Sequence, residues 1–424
     1  MNCNKGKKVV LMYHRVNDTR QDYNRITVNE NNFRAQMIFL KHNYKVLSLD
    51  QLLSYEGSEN VIAITFDDGF ADFYTKAMPI LEELELPATV FITTGKLGLK
   101  EELWTSEIIR LLYMNDSGRD ELYMEVMGNK VYLSIATLEQ RAKAYQCIRQ
   151  IMMQSSGVEV TQMIQSLRQQ LYMDATGREA YHFLSLEQCH HLSKHSLITV
   201  GAHTINHVSL GKVEETVLEY EVKTSIEQLE SMMEKKIEYF AYPFGGKSDY
   251  SQKTIDLLKR CGIKAAFTTY NSNYQSELHS KYEIPRVYVG NWDLERFRKC
   301  LDNVLTSGST PMVGNYVEAD FYMGRLEDDR QLWKTNAPII IWGTGVRGRQ
   351  IREQLIKAGE ARRILGFADN NPTVWETEIE GLYVFSPEEA VKNKDAIFIV
   401  YNVQGGKICR QLFSLGVNNV HWII

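Results

Sequence analysis

The chain has 424 residues, enough for two or three domains, and its 44% apolar and 24% charged residues suit a globular protein with ample core. A formal net charge of −5 spread along the chain argues against a nucleic-acid binder, which would show a basic face. The N-terminal stretch reads as a first strand rather than a signal peptide, no apolar run approaches bilayer length, and six cysteines lack paired spacing, so a cytoplasmic protein with reduced thiols and no transmembrane segment is expected.

Short apolar runs separated by helical patterns then follow one another. KKVVLMYH ends at His14. Phe33, Met37 and Leu40 lie on one helical face, ahead of a short strand at YKVLSL. VIAITFDD, a helix through 77–84 and ATVFITT continue the series. Residues 97–185 interrupt it with a mostly helical pattern whose buried stripe is Ile148, Met152, Met163, Leu167 and Leu171. This reads as an insertion, serving as a lid or as a brace. SLITVGAHT follows, then a long amphipathic helix carrying Leu218, Val222, Ile226, Leu229 and Met233. IEYFAYPFGG, a helix closing at Cys261 and Gly262, IKAAFTTY and EIPRVYVG complete the set. Such alternation predicts an α/β sheet or barrel over 1–311. The rhythm lapses near TSGSTP, a linker is placed at 312–335, and a second β-α-β unit opens at APIIIWGTGVRGRQI and fills 336–424.

The polar residues that stand out follow the apolar runs, where the C-terminal ends of parallel strands converge and active sites are built. They are His14, Asp67 and Asp68, His203 and His207, and a proline–glycine turn after IEYF. Adjacent carboxylates oppose each other's ionisation unless a cation or a shared proton resolves the conflict; a plain strand-end turn is the alternative. His203 and His207 are four residues apart, which on a helical turn puts both imidazoles on one side. Two imidazoles and one carboxylate leave positions open for water, as a catalytic zinc requires. One aspartate would then ligate the cation and the other serve as general base.

TFDDG (65–69), HTINH (203–207) and FAYPFG (240–245), in that order, resemble the polysaccharide deacetylase family, also called NodB-homology domains or carbohydrate esterase family 4. The resemblance covers about residues 7–300 and implies a distorted (β/α) barrel that removes N- or O-acetyl groups from sugars with a divalent metal. Carried over, it makes Asp67 the catalytic base and Asp68, His203 and His207 the ligands of zinc or a similar ion, with Thr204 supporting the histidine loop. The Phe244 N–H matches the donor that stabilises the developing oxyanion. Two departures stand out. Many members carry a base-orienting arginine where this chain has Ala241; Arg286 in EIPRVYV is the substitute, against an ordinary surface ion pair. Members also often place the general-acid histidine downstream, whereas LMYHRV resembles a rearranged branch acting on exopolysaccharides, which assigns the acid to His14, against a core histidine. His190, His191 and His195 are expected to be exposed or capping, His279 to sit in a polar loop, and Trp104 to be either a sugar platform or core.

IIIWGTGVRGRQI places Gly343, Gly345 and Gly348 in G-x-G-x-x-G between an apolar strand and a helix, and RILGFADN delivers Asp369 where a ribose-binding acid would sit. Residues 336–424 thus resemble a Rossmann-like domain with a nucleotide as its candidate ligand, and Arg347 either meets a phosphate or is solvated. The expected function is a metal-dependent deacetylase acting on an N-acetylated (or otherwise N-acylated) sugar or glycan intermediate of surface polysaccharide biosynthesis, such as a nucleotide sugar. The alternatives are a nucleotide-sensing or scaffolding protein with a passive barrel, and an NAD-dependent oxidoreductase.

Overall fold

The computed structural model describes residues 6–18, 25–126, 129–309, 336–393 and 395–400, with scattered positions beyond. The linker expected at 312–335 lies outside the described residues. The chain divides into two units, one drawn from Met1–Glu107, Ser155–Val160 and Asp174–Asn315 and the other from Ile108–Gln154, Thr161–Met173 and Tyr316–Ile424.

The first unit is built on a parallel sheet. Its strands run in the order Ala265–Phe267, Tyr239–Ala241, Ile198–Ala202, Ala88–Ile92, Val61–Phe66, Lys8–Tyr13 and Val287–Tyr288, with Lys45–Val46 also paired to Val61–Phe66. Strands Lys8–Tyr13, Val61–Phe66 and Ala88–Ile92 are buried along their whole length, which is why they read as unbroken apolar runs rather than alternating ones. The sheet curls until its edges share one segment. The Lys281 and Ile284 carbonyls accept from the Ala266 and Thr268 amides (2.9 Å each), and Ile284 returns a bond to Ala266 (3.0 Å). A few residues on, Val287 and Tyr288 pair with Leu11 and Met12 at the opposite edge. Pro285, with no N–H to place in a ladder, sits at the crossing. Inside the curl, Ala63, Ala241 and Ala265 interleave with Phe91, Tyr239 and Phe267, so small residues make room for large ones.

The helices follow their apolar stripes. Helix Glu30–Asn43 is capped by Asn29, whose side chain accepts from the Asn32 amide (2.8 Å), and it buries Phe33, Met37 and Leu40. Leu218, Val222, Ile226, Leu229 and Met233 are buried as their spacing requires. The insertion departs from its helical reading. Glu121–Val126 and Asn129–Ser134 form an antiparallel hairpin, with Leu122, Met124 and Val126 buried at a period of two. In helix Gly157–Leu171 the inward residue is Ile164 and not Met163, which is half-buried.

The C-terminal part of the second unit carries a six-stranded sheet. Its five parallel strands lie in the order Leu382–Phe385, Ile364–Ala368, Ile339–Trp342, Ile397–Val400, Val420–Trp422, and the short Glu378–Ile379 pairs antiparallel at the edge. Ile339 and Ile341 face one core and Ile340 and Trp342 another, so both faces of this sheet are covered. Among the described residues, no helix is long and apolar enough to cross a membrane.

Candidate active site

Strands Lys8–Tyr13, Val61–Phe66, Ile198–Ala202 and Tyr239–Ala241 run parallel and end at one rim of the curled sheet. The residues next in sequence supply His14, Asp67 and Asp68, His203, and the turn through Phe244. The Asp67 amide donates to the Tyr13 carbonyl (3.0 Å) and the His203 amide to Ile92 (3.0 Å), so each group leaves its strand still tied to a neighbour.

The backbone here is unusual for ordinary residues. Asp68 (φ 73°), Thr204 (φ 65°), His207 (φ 53°) and Phe244 (φ 63°) all lie in the left-handed region. Such conformations are costly away from glycine and persist where surrounding bonds over-determine them. Gly69 continues the turn at φ 84°, and a Cβ there would also press on Ile92 at 3.1 Å. His203 and His207 are therefore held by an irregular loop and not by the helical turn expected of their spacing. The Thr204 hydroxyl accepts from the His207 amide (3.0 Å), the supporting part expected of it.

Nε2 of His203 and of His207 lie 3.4 Å and 3.3 Å from Oδ1 of Asp68, and all three side chains are buried or nearly so. His203 Nδ1 lies 2.7 Å from the Ala241 carbonyl, which fixes that nitrogen as the N–H and leaves Nε2 as a bare lone pair. Asp68 Oδ1 has no hydrogen-bond partner despite its burial. Three donor atoms thus converge on one point with an orphaned carboxylate oxygen among them, the arrangement that a divalent cation satisfies. Burial pushes the Asp68 carboxyl up, but positive charge on the His207 and His203 imidazoles, when they are protonated, more than offsets this and holds it well below its ordinary value.

Asp67 faces another partner. Arg286, fully buried, donates Nη1 to Asp67 Oδ1 (2.6 Å) and Nη2 to Oδ2 (2.7 Å), a bidentate pair. Its Nε donates to the Thr268 carbonyl (3.0 Å), and the guanidinium lies 5.4 Å from the Phe91 ring centroid. Arg286 thus sits inside the curl and is no surface ion pair. Burial raises the Asp67 carboxyl, while Arg286, with His203 and His14 behind it, brings it below its ordinary value. Ala241 shares a core cluster with Phe91, so a second long cation there would compete for the same interior.

His14 is partly exposed, with Nδ1 buried and without a hydrogen-bond partner. Burial lowers its pKa, and the nearby charges of Asp68 and Asp67 oppose that. Beside it Arg15 is locked in place: the guanidinium pairs with Asp72 (2.8 Å) and lies between the Phe70 and Tyr181 rings (4.8 and 4.0 Å). Phe244 packs against the His207 ring with centroids 4.7 Å apart. Trp104 is buried and donates Nε1 to the His207 carbonyl (3.2 Å), which selects its core reading over the sugar platform. His191 meets the Tyr74 hydroxyl, His195 meets Glu82, and His279 Nδ1 accepts from the Gln275 amide. Two buried acids without a motif of their own also brace the rim: Asp249, which bonds Ser209 and Gly246, and Glu221 beneath the histidine loop.

In the second unit, Gly343 has φ 106° and a Cβ on Gly348 would fall 1.9 Å from the Gly343 carbonyl oxygen, so both glycines are required. At Gly345, by contrast, a Cβ would meet nothing within 4 Å. Asp369 Oδ2 accepts from the Thr344 amide (2.8 Å) and hydroxyl (2.7 Å), and Oδ1 accepts from the Asn371 amide (2.9 Å). The carboxylate expected to meet a ribose thus ties down the glycine turn.

The stretch that carries Asp67, Asp68, His203 and His207 is similar to known proteins. Residues 54–116 and 152–267 match the polysaccharide deacetylase family model. The chain carries a polysaccharide deacetylase domain. The 117–151 stretch that this domain match skips holds the hairpin and most of the following helix, which marks them as additions to the family frame. A poly-beta-1,6-N-acetyl-D-glucosamine N-deacetylase of Escherichia coli K12 is 33% identical over 86 residues, 19% of this chain and 13% of that protein. One from Staphylococcus aureus MSSA476 is 31% identical over 107 residues, 21% of this chain and 37% of its own length. The matches therefore span much less than two thirds of these relatives. A solved polysaccharide deacetylase from Bacillus cereus aligns at 19% identity and a TM-score of 0.46, covering 70% of this chain and 69% of that one. Residues 335–423 match a separate model, described as C2185-like, N-terminal.

Proposed function

We propose that the chain is a metal-dependent carbohydrate N-deacetylase acting on an N-acetylated sugar or glycan intermediate of surface polysaccharide biosynthesis. The observation that carries this reading is the pairing of two differently used aspartates. Asp68 turns an orphaned oxygen toward the Nε2 atoms of two imidazoles, while Asp67, one residue away, is gripped by Arg286. Names of relatives that act on poly-N-acetylglucosamine support the substrate class.

Asp68, His203 and His207 would hold the cation. Bound there, zinc or a similar ion supplies Lewis acidity toward water and the acetamide carbonyl. Asp67 takes the proton of the attacking water, and its fork to Arg286 keeps the carboxylate ionised and aimed. The Phe244 amide, on a left-handed turn, donates to the oxygen on which charge develops. His14, which follows its strand into the same rim, delivers the proton that lets the amine depart. Products are acetate and a free amine.

Residues 336–424 are read as a Rossmann-like domain in which the open space over Gly345 admits a nucleotide or nucleotide sugar. The deciding experiment measures acetate release from N-acetylated oligosaccharides and nucleotide sugars by chelated protein, zinc-restored protein and Asp67→Asn. Zinc should restore release, and the variant should lose about 100- to 10,000-fold in turnover while still binding metal. Retained turnover in Asp67→Asn, or its loss of metal, would overturn the assignment of the two aspartates.

A further inference from the structure

The helix that begins at Glu215 and ends at Met233 does not wind evenly. Between Glu215–Glu219 and Ser225–Met233 it passes through a π-helical stretch, Tyr220–Thr224. Such a stretch widens the turn, loses regular bonding and is kept where it places a side chain that an even helix would misdirect. The side chain placed here is Glu221, 1% exposed.

Its carboxylate is fully engaged. Oε2 accepts from the Ile205 amide (3.0 Å) and the Asn206 amide (2.9 Å), and Oε1 accepts from Asn206 Nδ2 (2.7 Å). Ile205 and Asn206 are two of the three residues between His203 and His207. On the loop's other side, the Thr204 and Ile205 carbonyls accept from the Thr94 and Gly95 amides (3.1 and 2.9 Å). The loop is therefore held through its carbonyls from one side and through its amides from the other. Glu221 alone meets two successive amides with one oxygen, which compels the backbone to present both N–H groups the same way. That constraint fits a segment bounded by left-handed residues at Thr204 and His207. Packing is tight around the contact: a Cβ on Gly157 would fall 2.6 Å from Asn206 Nδ2.

We infer that Glu221 is a positioning residue for the cation site, and that the π-helical stretch exists to bring its carboxylate beneath the histidine loop. The inference rests on reading Asp68, His203 and His207 as cation ligands. Glu221 touches none of them by its side chain. It sets the backbone from which His203 and His207 are aimed at Asp68.

The test is zinc affinity of the full chain, measured by competition with a chromophoric chelator, beside the melting temperature of the metal-free protein. Glu221→Gln keeps an oxygen for the two amides, and Asn206 can turn its amide to suit, so affinity should stay within about threefold of the parent. Glu221→Asp keeps the charge but withdraws it by one methylene, and Glu221→Ala removes it; both should lose about 10- to 100-fold in affinity. A purely structural glutamate would instead lower the metal-free melting temperature and leave the affinity of the folded protein unchanged. Affinity within about threefold for both Asp and Ala variants overturns the inference. Should the Ala variant not fold, the Asp variant decides. Parent protein that binds no zinc, as His203→Ala should not, would instead defeat the underlying site assignment.

Discussion

Asp67 and Arg286 show how a single pair decides both stability and reactivity. The two side chains are 3% and 0% exposed, so neither can recruit water if the other is lost. Arg286→Ala leaves a carboxylate buried without its fork, and breaking such a pair costs about 3–5 kcal/mol. The pH dependence has a definite sign. In the parent, Asp67 titrates below its ordinary value of 3.8, so the pair's stabilisation is present above that value and is lost as pH falls through the lower, folded one. In Arg286→Ala, burial works with less opposition and the carboxyl moves upward. That variant then takes up a proton where the parent does not, and the stability gap narrows as pH falls toward the carboxylate range. Urea unfolding at neutral pH and near the carboxylate range checks this: a gap independent of pH would rule out the pair as its source. Arg286→Lys should recover part of the stability but little of the turnover, because an ammonium cannot hold both oxygens in one plane.

At the scale of elements, the site depends on loops that lean on one another. Asp249 accepts from the Ser209 hydroxyl (2.7 Å) and Lys212 (3.1 Å) through Oδ1, and from the Gly246 amide (3.0 Å) through Oδ2. It therefore ties the stretch after His207 to the turn that carries Phe244. Asp249→Ala should lower turnover about 100-fold through misplacement of that turn. Zinc affinity should fall much less, since Glu221 and Thr204 still brace the histidine loop. Equal losses in both quantities, read from parallel kinetics and chelator competition, would contradict this division of labour. These braces explain what could and could not be read from the chain. Asp67, Asp68, His203 and His207 were legible because each pair is close in sequence and follows an apolar strand. Arg286 was legible only as a substitute for the missing cation at Ala241. Glu221 bonds a loop 15 and 16 residues away and Asp249 bonds Ser209, 40 residues away, so local periodicity carried no trace of either contact. The one hint was that Glu221 falls three residues after Leu218 and beside Val222 on a buried stripe, where an acid needs partners. The helical expectation for the histidine pair failed for a related reason: the four-residue spacing is the same in a turn built from left-handed residues.

For the whole molecule, the two units should answer metal differently. The apolar runs that became the parallel strands of both sheets were open to sequence reasoning, and the barrel-like curl was implied by the family resemblance; the order of the strands was not legible, nor was the hairpin inside the insertion, because its period-two stretch is flanked by long helical stripes. Among the described residues, Asp68, His203 and His207 form the single group able to hold a metal, and all three belong to the first unit. A ligand that binds only the folded state stabilises it by RT ln(1 + [L]/Kd), about 2.7 kcal/mol at a hundredfold excess over Kd. That free energy acts on whatever must open to release the ligand. Opening there separates the ends of Val61–Phe66 and Ile198–Ala202 and the loop beneath them, whereas the sheet built on Ile339–Trp342 contains none of these residues. Hydrogen exchange followed by peptide mass, with zinc and with chelator, should show slowing of about 100-fold confined to peptides covering 61–70, 198–210 and 240–250. Peptides covering 339–400 should exchange at the same rate in both conditions. Slowing that reaches 339–400 equally would mean that the metal stabilises both units through one cooperative transition, and that the division into units does not govern how the chain opens.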